Sequence, residues 1–131
     1  MENQTNQTNT SAQSLKGVVT QILNNANFHV INACFFGGMG IEPYNGKFYY
    51  EGQEGTYNAL KEAGITTECV DAYGGEGKGD RYWTVYKFSK GDEAGYVQFD
   101  GWYASYGGSE FSGWFFVEPR EVKIVRFQRC E

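Results

Sequence analysis

The sequence has few of the residues from which metal and redox sites are built. It contains one histidine and three cysteines in 131 residues, and the cysteines, at positions 34, 69 and 130, form no Cys-x-x-Cys pair. Zinc sites and redox dithiols need closely spaced ligands, so the pattern predicts free thiols, no metal and no cofactor. His29 precedes Cys34 by only five positions, but no motif supports a nucleophilic pair. We expect a histidine at a helix end and a buried thiol.

Long apolar runs and an excess of positive charge are also absent. No apolar run approaches the roughly 20 residues that cross a bilayer, and the amino terminus lacks the basic and then apolar order of an export signal. We therefore expect a soluble cytoplasmic protein without membrane contact. Acidic residues number 16 and basic residues 11, for a net charge of −5. This balance disfavours binding to nucleic-acid phosphates.

Polar residues dominate the first part of the chain, and glycine and aromatic residues the rest. Residues 1–13 carry one charge among repeated Asn, Gln and Thr, a composition that predicts a flexible polar tail. Aromatic residues make up 18% of the chain and glycine 18 positions, so there is enough large side-chain material for a core in a turn-rich fold. We expect residues 14–131 to form a single domain.

Two segments have the apolar spacing of amphipathic helices. Residues 14–26 repeat apolar side chains at intervals of three and four, and Ser14 is a suitable N-cap. Residues 53–63 predict a second, shorter helix that stops at a glycine. Between them, residues 28–36 form a short apolar run that ends in glycines, which predicts a buried strand.

The remaining segments indicate a meander of antiparallel strands. Asn45-Gly46 predicts a two-residue hairpin turn, with residues 47–51 as the returning strand and Pro43 limiting the first arm to an edge. Further strands are expected over residues 66–73, 81–89, 96–103 and 115–128. The predicted fold class is α+β: an antiparallel β-meander sheet with the amino-terminal amphipathic helix packed on one face and a second short helix.

The densest glycine cluster is Gly-Gly-Glu-Gly-Lys-Gly-Asp at residues 74–80. It lacks the Ser or Thr that follows the lysine of a P-loop, and a strand pattern follows where a dinucleotide fingerprint needs a helix. The favoured interpretation is a hairpin loop. The alternative is a loop that holds the phosphates of a nucleotide-like ligand, with these candidate residues: Gly75, Gly77, Lys78, Gly79 and Arg81.

A second cluster combines aromatic rings and carboxylates between residues 100 and 114. Trp and Tyr supply large contact area at low entropic cost, so this composition is typical of a recognition surface. The predicted partner-binding residues are Trp102, Tyr103, Tyr106, Glu110 and Trp114. The alternative is that the two tryptophans cover the core and the glycines only form a turn between strands.

Three stretches of the carboxy-terminal half, residues 74–80, 99–110 and 117–122, form a recognisable pattern within about 69–127. Through these stretches the chain resembles a loosely defined group of small uncharacterised proteins carried by tailed bacteriophages and prophages. It brings no catalytic residue with it, and Asp100 and Glu110 alone do not establish a glycosidase pair. The resemblance implies a non-enzymatic, phage-encoded anti-defence or redirecting protein that binds a host defence or replication protein in the bacterial cytoplasm.

Two further expectations stay open from the sequence. The alternative function is a small-molecule binder that sequesters a nucleotide signal through the 74–80 loop and stacked aromatic rings. The second expectation concerns assembly, because an edge strand at residues 41–44 would suit a symmetric homodimer.

Overall fold

Helices come first along the chain and strands follow. The computed structural model describes residues 14–74, 81–104, 108–123 and 125–130, so the predicted tail over residues 1–13 lies outside it. The elements in order are α1 (Leu15–Asn25), α2 (Phe28–Val30), a π-helical segment (Ile31–Phe36), α3 (Gln53–Glu62), β1 (Thr66–Tyr73), β2 (Arg81–Lys90), β3 (Glu93–Ala104) and β4 (Gly108–Val117). The strands pair in the order β1-β2-β3-β4, each antiparallel to the next. The predicted α+β fold with a meander sheet is confirmed.

Both predicted helices form, with ends close to those expected. The Ser14 side chain accepts a hydrogen bond from the Gly17 amide at 3.1 Å and so caps α1. The buried side chains of α1 form one stripe that contributes to the main apolar cluster: Leu15, Val19 and Leu23. At the other helix, Gly52 with φ 88° precedes α3 and Gly64 with φ 76° follows it. The left-handed conformation at each position is one that glycine adopts without steric cost.

The predicted strand over residues 28–36 is wrong, because this segment is helical. The Asn27 side chain caps it by accepting a hydrogen bond from the His29 amide at 2.7 Å. Val30, Ile31, Cys34 and Phe35 are all buried, with the spacing of one helical face. A short apolar run buried on most sides has no clear period, which is why the sequence alone did not separate helix from strand.

The end of the π-helical segment is fixed to the sheet by two hydroxyl groups. Thr84 Oγ1 donates to the Phe35 carbonyl at 2.8 Å, and Tyr86 Oη donates to the Cys34 carbonyl at 3.1 Å. The Phe35 ring stacks on Phe99, with centroids 5.1 Å apart and planes inclined at 11°. These contacts place the helical segment against β2 and β3 at the centre of the core.

The hairpin turn is confirmed, but the strands predicted on either side of it are wrong. Asn45 and Gly46 have φ 52° and 76°, and the turn is closed by two backbone hydrogen bonds of 2.9 Å between Tyr44 and Lys47. Residues 47–51 do not continue as a strand, and residues 41–44 form no edge strand. The physical reason is the Gln53 side chain, which binds backbone groups that a strand ladder would use.

The last strand lies earlier in the chain than predicted. The β4 strand covers Gly108–Val117, whereas the described residues of 118–130 form no strand. Most of the predicted turn over residues 100–114 therefore belongs to the paired ends of β3 and β4. A β-bulge between Asp100 and Gly101 adjusts the pairing there. A Cβ at Gly101 would overlap the Phe36 ring, so the glycine permits the close packing of the π-helical segment.

The two faces of the sheet have different environments. The core face carries the side chains of Tyr86, Phe88, Val97 and Phe99, which pack with α1 and the π-helical segment in one apolar cluster. The opposite side of the sheet, which we call the outer face, carries the alternating side chains, such as Val85, Gln98 and Trp102. None of its residues belongs to that cluster. Along β3 the two sets alternate residue by residue, as the pleat of a strand requires. Within the described part of the chain, no helix has the length and apolar character needed to span a membrane.

Candidate functional site

The outer face carries aromatic and apolar side chains among charged ones. Its members, taken from the strand register, include Glu68, Asp71, Tyr73, Arg81, Trp83, Val85, Lys87, Tyr96, Gln98, Asp100, Trp102, Glu110, Phe115 and Val117. Trp102 is 56% exposed, and Tyr73 and Phe115 are exposed as well. The Tyr73 and Trp83 rings stack with centroids 5.8 Å apart and planes inclined at 20°. Flat stacking of this kind presents a rigid aromatic surface.

A shallow basin of about 550 Å³ lies in the middle of the outer face. Its floor includes Val85, which is only 9% exposed although it lies outside the main apolar cluster. Pro119, just after the end of β4, forms one side of the basin. Charged side chains are also part of its lining: Glu68, Asp71, Lys87 and Glu118. The basin thus combines an apolar floor with charged groups at its sides, the arrangement found in many protein interfaces.

The structure separates the residues predicted to bind a partner. Trp102 and Glu110 lie opposite each other on β3 and β4, and both are exposed on the outer face. Trp114 lies opposite Phe99 instead, where it is half-buried against the apolar cluster. It contacts Phe116 edge to face, with centroids 5.8 Å apart. One tryptophan is therefore a surface residue and the other packs on the core, as each of the two sequence interpretations expected in part.

Of the two remaining predicted partner residues, Tyr103 is described in its backbone alone and Tyr106 is not described. The backbone of Tyr103 pairs with Ser109 near the end of the β3–β4 hairpin. Tyr106 lies outside the described residues. Trp102 and Glu110 thus share the outer face, and they lie on paired strands rather than in a turn.

Of the residues predicted to bind a nucleotide, only Arg81 is described. Gly75, Gly77, Lys78 and Gly79 lie outside the described residues. The Arg81 Nη2 atom lies 3.3 Å from Asp100 Oδ1, which also accepts a hydrogen bond from Gln98 Nε2 at 3.1 Å. The Asp100 carboxylate thus offsets part of the positive charge that Arg81 would offer to a phosphate.

Asp100 and Glu110 are not opposite each other in the sheet. Asp100 pairs with Gly113, whereas Glu110 pairs with Trp102. The carboxylate of Asp100 is bound to the neighbouring Arg81 and Gln98, and Glu110 is exposed. The register places these two carboxylates at different positions along the hairpin.

The cysteines are free, and one of them is deeply buried. Cys34 is buried in the π-helical segment, whereas Cys69 and Cys130 are exposed. Burial raises the pKa of the Cys34 thiol to about 11, so it is protonated at neutral pH. His29 is exposed on α2, while Cys34 is enclosed in the core, which matches the expected helix-end histidine and buried thiol. Among the described residues, no three His, Cys, Asp or Glu side chains are grouped to hold a metal ion.

A second cavity, which no sequence motif predicted, lies beside the hairpin turn. It has a volume of about 610 Å³, and we call it the tyrosine cleft after the three rings that line it. Its lining residues are Met39, Gly40, Glu42, Pro43, Tyr44, Tyr49, Tyr50 and Gln53. The sequence feature that could have predicted this cleft is the presence of tyrosines on both sides of the Asn45-Gly46 turn, because the turn brings the two flanking segments together.

Comparison with known protein families, with curated proteins and with solved structures found no match to this chain.

Proposed function

We propose that this chain is a non-enzymatic binding protein that captures a protein partner on the outer face of its sheet. The observation that carries the proposal is the exposed Trp102 beside Glu110, on a face that the main apolar cluster does not use. Following the phage resemblance, the proposed partner is a host defence or replication protein in the bacterial cytoplasm, which the binding inhibits or redirects.

The exposed rings favour protein capture because they are costly to leave in water. An apolar side chain contributes roughly 25 cal/mol for each Å² removed from water, and a tryptophan or phenylalanine has a large area to bury. Trp102, Phe115 and Tyr73 are each exposed on the outer face. Tyr73 also stacks on Trp83, and exposed apolar patches mark interaction sites on proteins.

The rigidity of the outer face also favours binding. Its residues lie on paired strands, so a partner meets them without first ordering a loop. The core face supports the same strands through buried rings such as Phe99. Preorganised aromatic side chains lose little entropy on binding, which is why tryptophan and tyrosine are common among the residues that dominate interface energies.

Site-specific photocrosslinking tests this proposal directly. A p-benzoylphenylalanine placed at position 102 or 115 is expected to form a covalent adduct with one host protein of defined mass in living bacteria. The matched control is the same group at position 62, an exposed site at the end of α3. Trp102→Ala is expected to reduce the adduct formed from position 115 several-fold while the folded fraction is unchanged.

Three outcomes would overturn the proposal. One is equal crosslinking from positions 62 and 102, because it would show contact without a preferred face. Another is an adduct between two copies of the chain as the main product, which would make the outer face a homodimer interface. The third is a nucleotide mass retained in native mass spectra and lost in Arg81→Ala, which would favour sequestration of a nucleotide signal.

A further inference from the structure

The tyrosine cleft is held in shape by one buried glutamine. Gln53 is 3% exposed, and its Oε1 atom accepts hydrogen bonds from the Tyr49 and Tyr50 amides at 3.0 and 3.2 Å. Its Nε2 atom donates to the Ile41 carbonyl at 3.1 Å. A single side chain from α3 therefore joins the two stretches of backbone on either side of the hairpin turn. The walls of the cleft are fixed before any ligand arrives, which lowers the entropic cost of binding.

Two of the three tyrosine rings of the cleft, Tyr44 and Tyr49, lie outside the main apolar cluster, whereas Tyr50 packs against it. Tyr44 is 67% and Tyr49 61% exposed, and their ring centroids are 6.4 Å apart with planes inclined at 40°. The third ring is oriented by its hydroxyl, since Tyr50 Oη donates to Met39 Sδ at 3.1 Å. At this separation, one ligand group can lie within about 6 Å of both exposed ring centroids, the range over which an aromatic ring attracts a cation.

The charge at the cleft also favours a cation. Glu42 is the one charged side chain in its lining, and it is exposed. Within the described residues, neither ion pair involves Glu42. The volume of about 610 Å³ falls in the usual range for small-molecule sites, about 300–1,000 Å³. A ligand with a positive end and an apolar body matches both the rings and the carboxylate.

We propose that the tyrosine cleft binds a small molecule that carries a quaternary ammonium group. The methyl groups of such a cation are weakly hydrated and contact the faces of Tyr44 and Tyr49, while Glu42 balances the charge. A primary ammonium fits less well, because it is strongly hydrated and needs hydrogen-bond acceptors on several sides. This site is separate from the outer face and is independent of the proposed protein partner.

The decisive experiment compares choline with its uncharged isostere, 3,3-dimethylbutan-1-ol. Both are titrated into the full chain, and the methyl proton resonances of the ligand are followed by NMR. Choline is expected to bind at least about tenfold more tightly, with an upfield shift from the tyrosine ring currents. Equal affinities would overturn the proposal, since they would show an apolar cleft without preference for charge. A lack of choline binding would overturn it as well.

Two substitutions at one position separate the ring face from the hydroxyl group. Tyr49→Phe keeps the aromatic face and is expected to change the choline dissociation constant by less than about threefold. Tyr49→Leu removes the face and is expected to weaken binding about tenfold. Tyr49 is exposed, so both variants are expected to keep the melting temperature of the parent chain. Similar binding by the leucine and phenylalanine variants would contradict a role for the ring.

Two last measurements test the role of the Glu42 charge and the source of the ammonium group. Glu42→Gln is expected to weaken choline binding several-fold and to reduce its dependence on salt. A peptide that contains trimethyl-lysine serves as the competing ligand. If that peptide binds more than about tenfold more tightly than choline, the site recognises a modified protein and the small-molecule proposal is overturned. If a proline-rich peptide bound to the chain and choline did not displace it, the small-molecule proposal would be overturned too.

Discussion

The core face and the outer face of the same sheet place aromatic residues in opposite environments. On the core face, Phe99 is fully buried and stacks on Phe35. On the outer face, Trp102 is three positions further along the same strand and is 56% exposed. Both residues have large apolar rings, and both lie on β3. The difference shows that strand register, and not residue type, decides which aromatic side chain is buried in the core and which stays exposed on the outer face.

The largest expected effect is a contrast in stability between the two faces. Phe99→Ala leaves a cavity among rings that cannot fully collapse, and we expect a loss of about 3–5 kcal/mol in the free energy of unfolding. Trp102→Ala removes a ring that is already largely in water, so we expect a change within about 0.5 kcal/mol. Urea denaturation followed by circular dichroism measures both values.

Equal losses for these two variants would break the comparison, because they would place Trp102 in the core. Phe99→Leu is the matched control on the core face. It keeps most of the apolar volume and is expected to lose less than Phe99→Ala.

The next effect is a loss of stability at alkaline pH that originates in the core. Burial raises the pKa of Cys34 from 9.0 to about 11, so the folded state holds this proton more tightly than the unfolded state. The stabilisation is present below pH 9 and is lost as the pH rises from 9 through 11, by roughly 3 kcal/mol in total. The pKa of Tyr86 is also raised above its usual range, mainly by burial and to a smaller extent by the nearby Cys69 and Cys34 thiols.

Urea titrations at pH values from 7 to 11 measure this loss, with Cys34→Ala as the control. The variant is expected to lose less stability over the same interval than the parent chain. A thiol reagent at pH 8 sharpens the comparison, since Cys69 and Cys130 are exposed and are expected to react well before Cys34. Three thiols that react at one rate would show that Cys34 is accessible.

A smaller effect is expected from two hydroxyl groups in different surroundings. Thr84 is buried and donates to the Phe35 carbonyl, whereas Ser112 is exposed and donates to the Asp100 carbonyl at 3.0 Å. Thr84→Val removes the buried hydrogen bond without changing side-chain volume, and we expect a loss of about 1 kcal/mol. Ser112→Ala is expected to cost less than about 0.5 kcal/mol, because water replaces the lost partner.

Thermal unfolding of the two variants and of Thr84→Ser measures this difference. The serine variant keeps the hydroxyl and separates the loss of the hydrogen bond from the loss of a methyl group. If Thr84→Val were as stable as the parent chain, the hydroxyl would have no part in fixing the π-helical segment.

The smallest expected effect belongs to the ion pair on the outer face. Arg81 and Asp100 are 3.3 Å apart, with the arginine side chain 57% exposed. Exposed pairs contribute about 0.2–1 kcal/mol, and salt screens them. A double-mutant cycle with Arg81→Ala and Asp100→Ala is expected to give a coupling in this range that falls further at high salt. A coupling that does not change with salt would indicate that the pair is less exposed than the structure shows.

Much of the fold could be predicted from short-range patterns. The spacing of α1, the glycines around α3 and the Asn-Gly turn each reflect interactions between residues that are close in sequence. The strand β1 was predicted with its observed limits, Thr66–Tyr73. The π-helical segment was missed because its burial depends on Thr84, Tyr86 and Phe99, which lie far along the chain.

The candidate sites were less predictable than the fold. Trp102 and Glu110 were identified by residue type, but their exposure on one face depends on the register of β3 with β4. Trp114 has the same residue type and faces the core side. The tyrosine cleft was missed because Gln53, eight positions from the Asn45-Gly46 turn, holds it together through bonds to its backbone.

By itself, the sequence determined the helix-and-meander fold class, the Asn45-Gly46 turn and an aromatic content sufficient for a core. These properties follow from composition and from local spacing. Only the tertiary structure decided which rings are buried, which lie on the outer face and which line the tyrosine cleft. The physical reason is that strand pairing and helix docking join residues distant in sequence, and each residue's surroundings depend on that pairing.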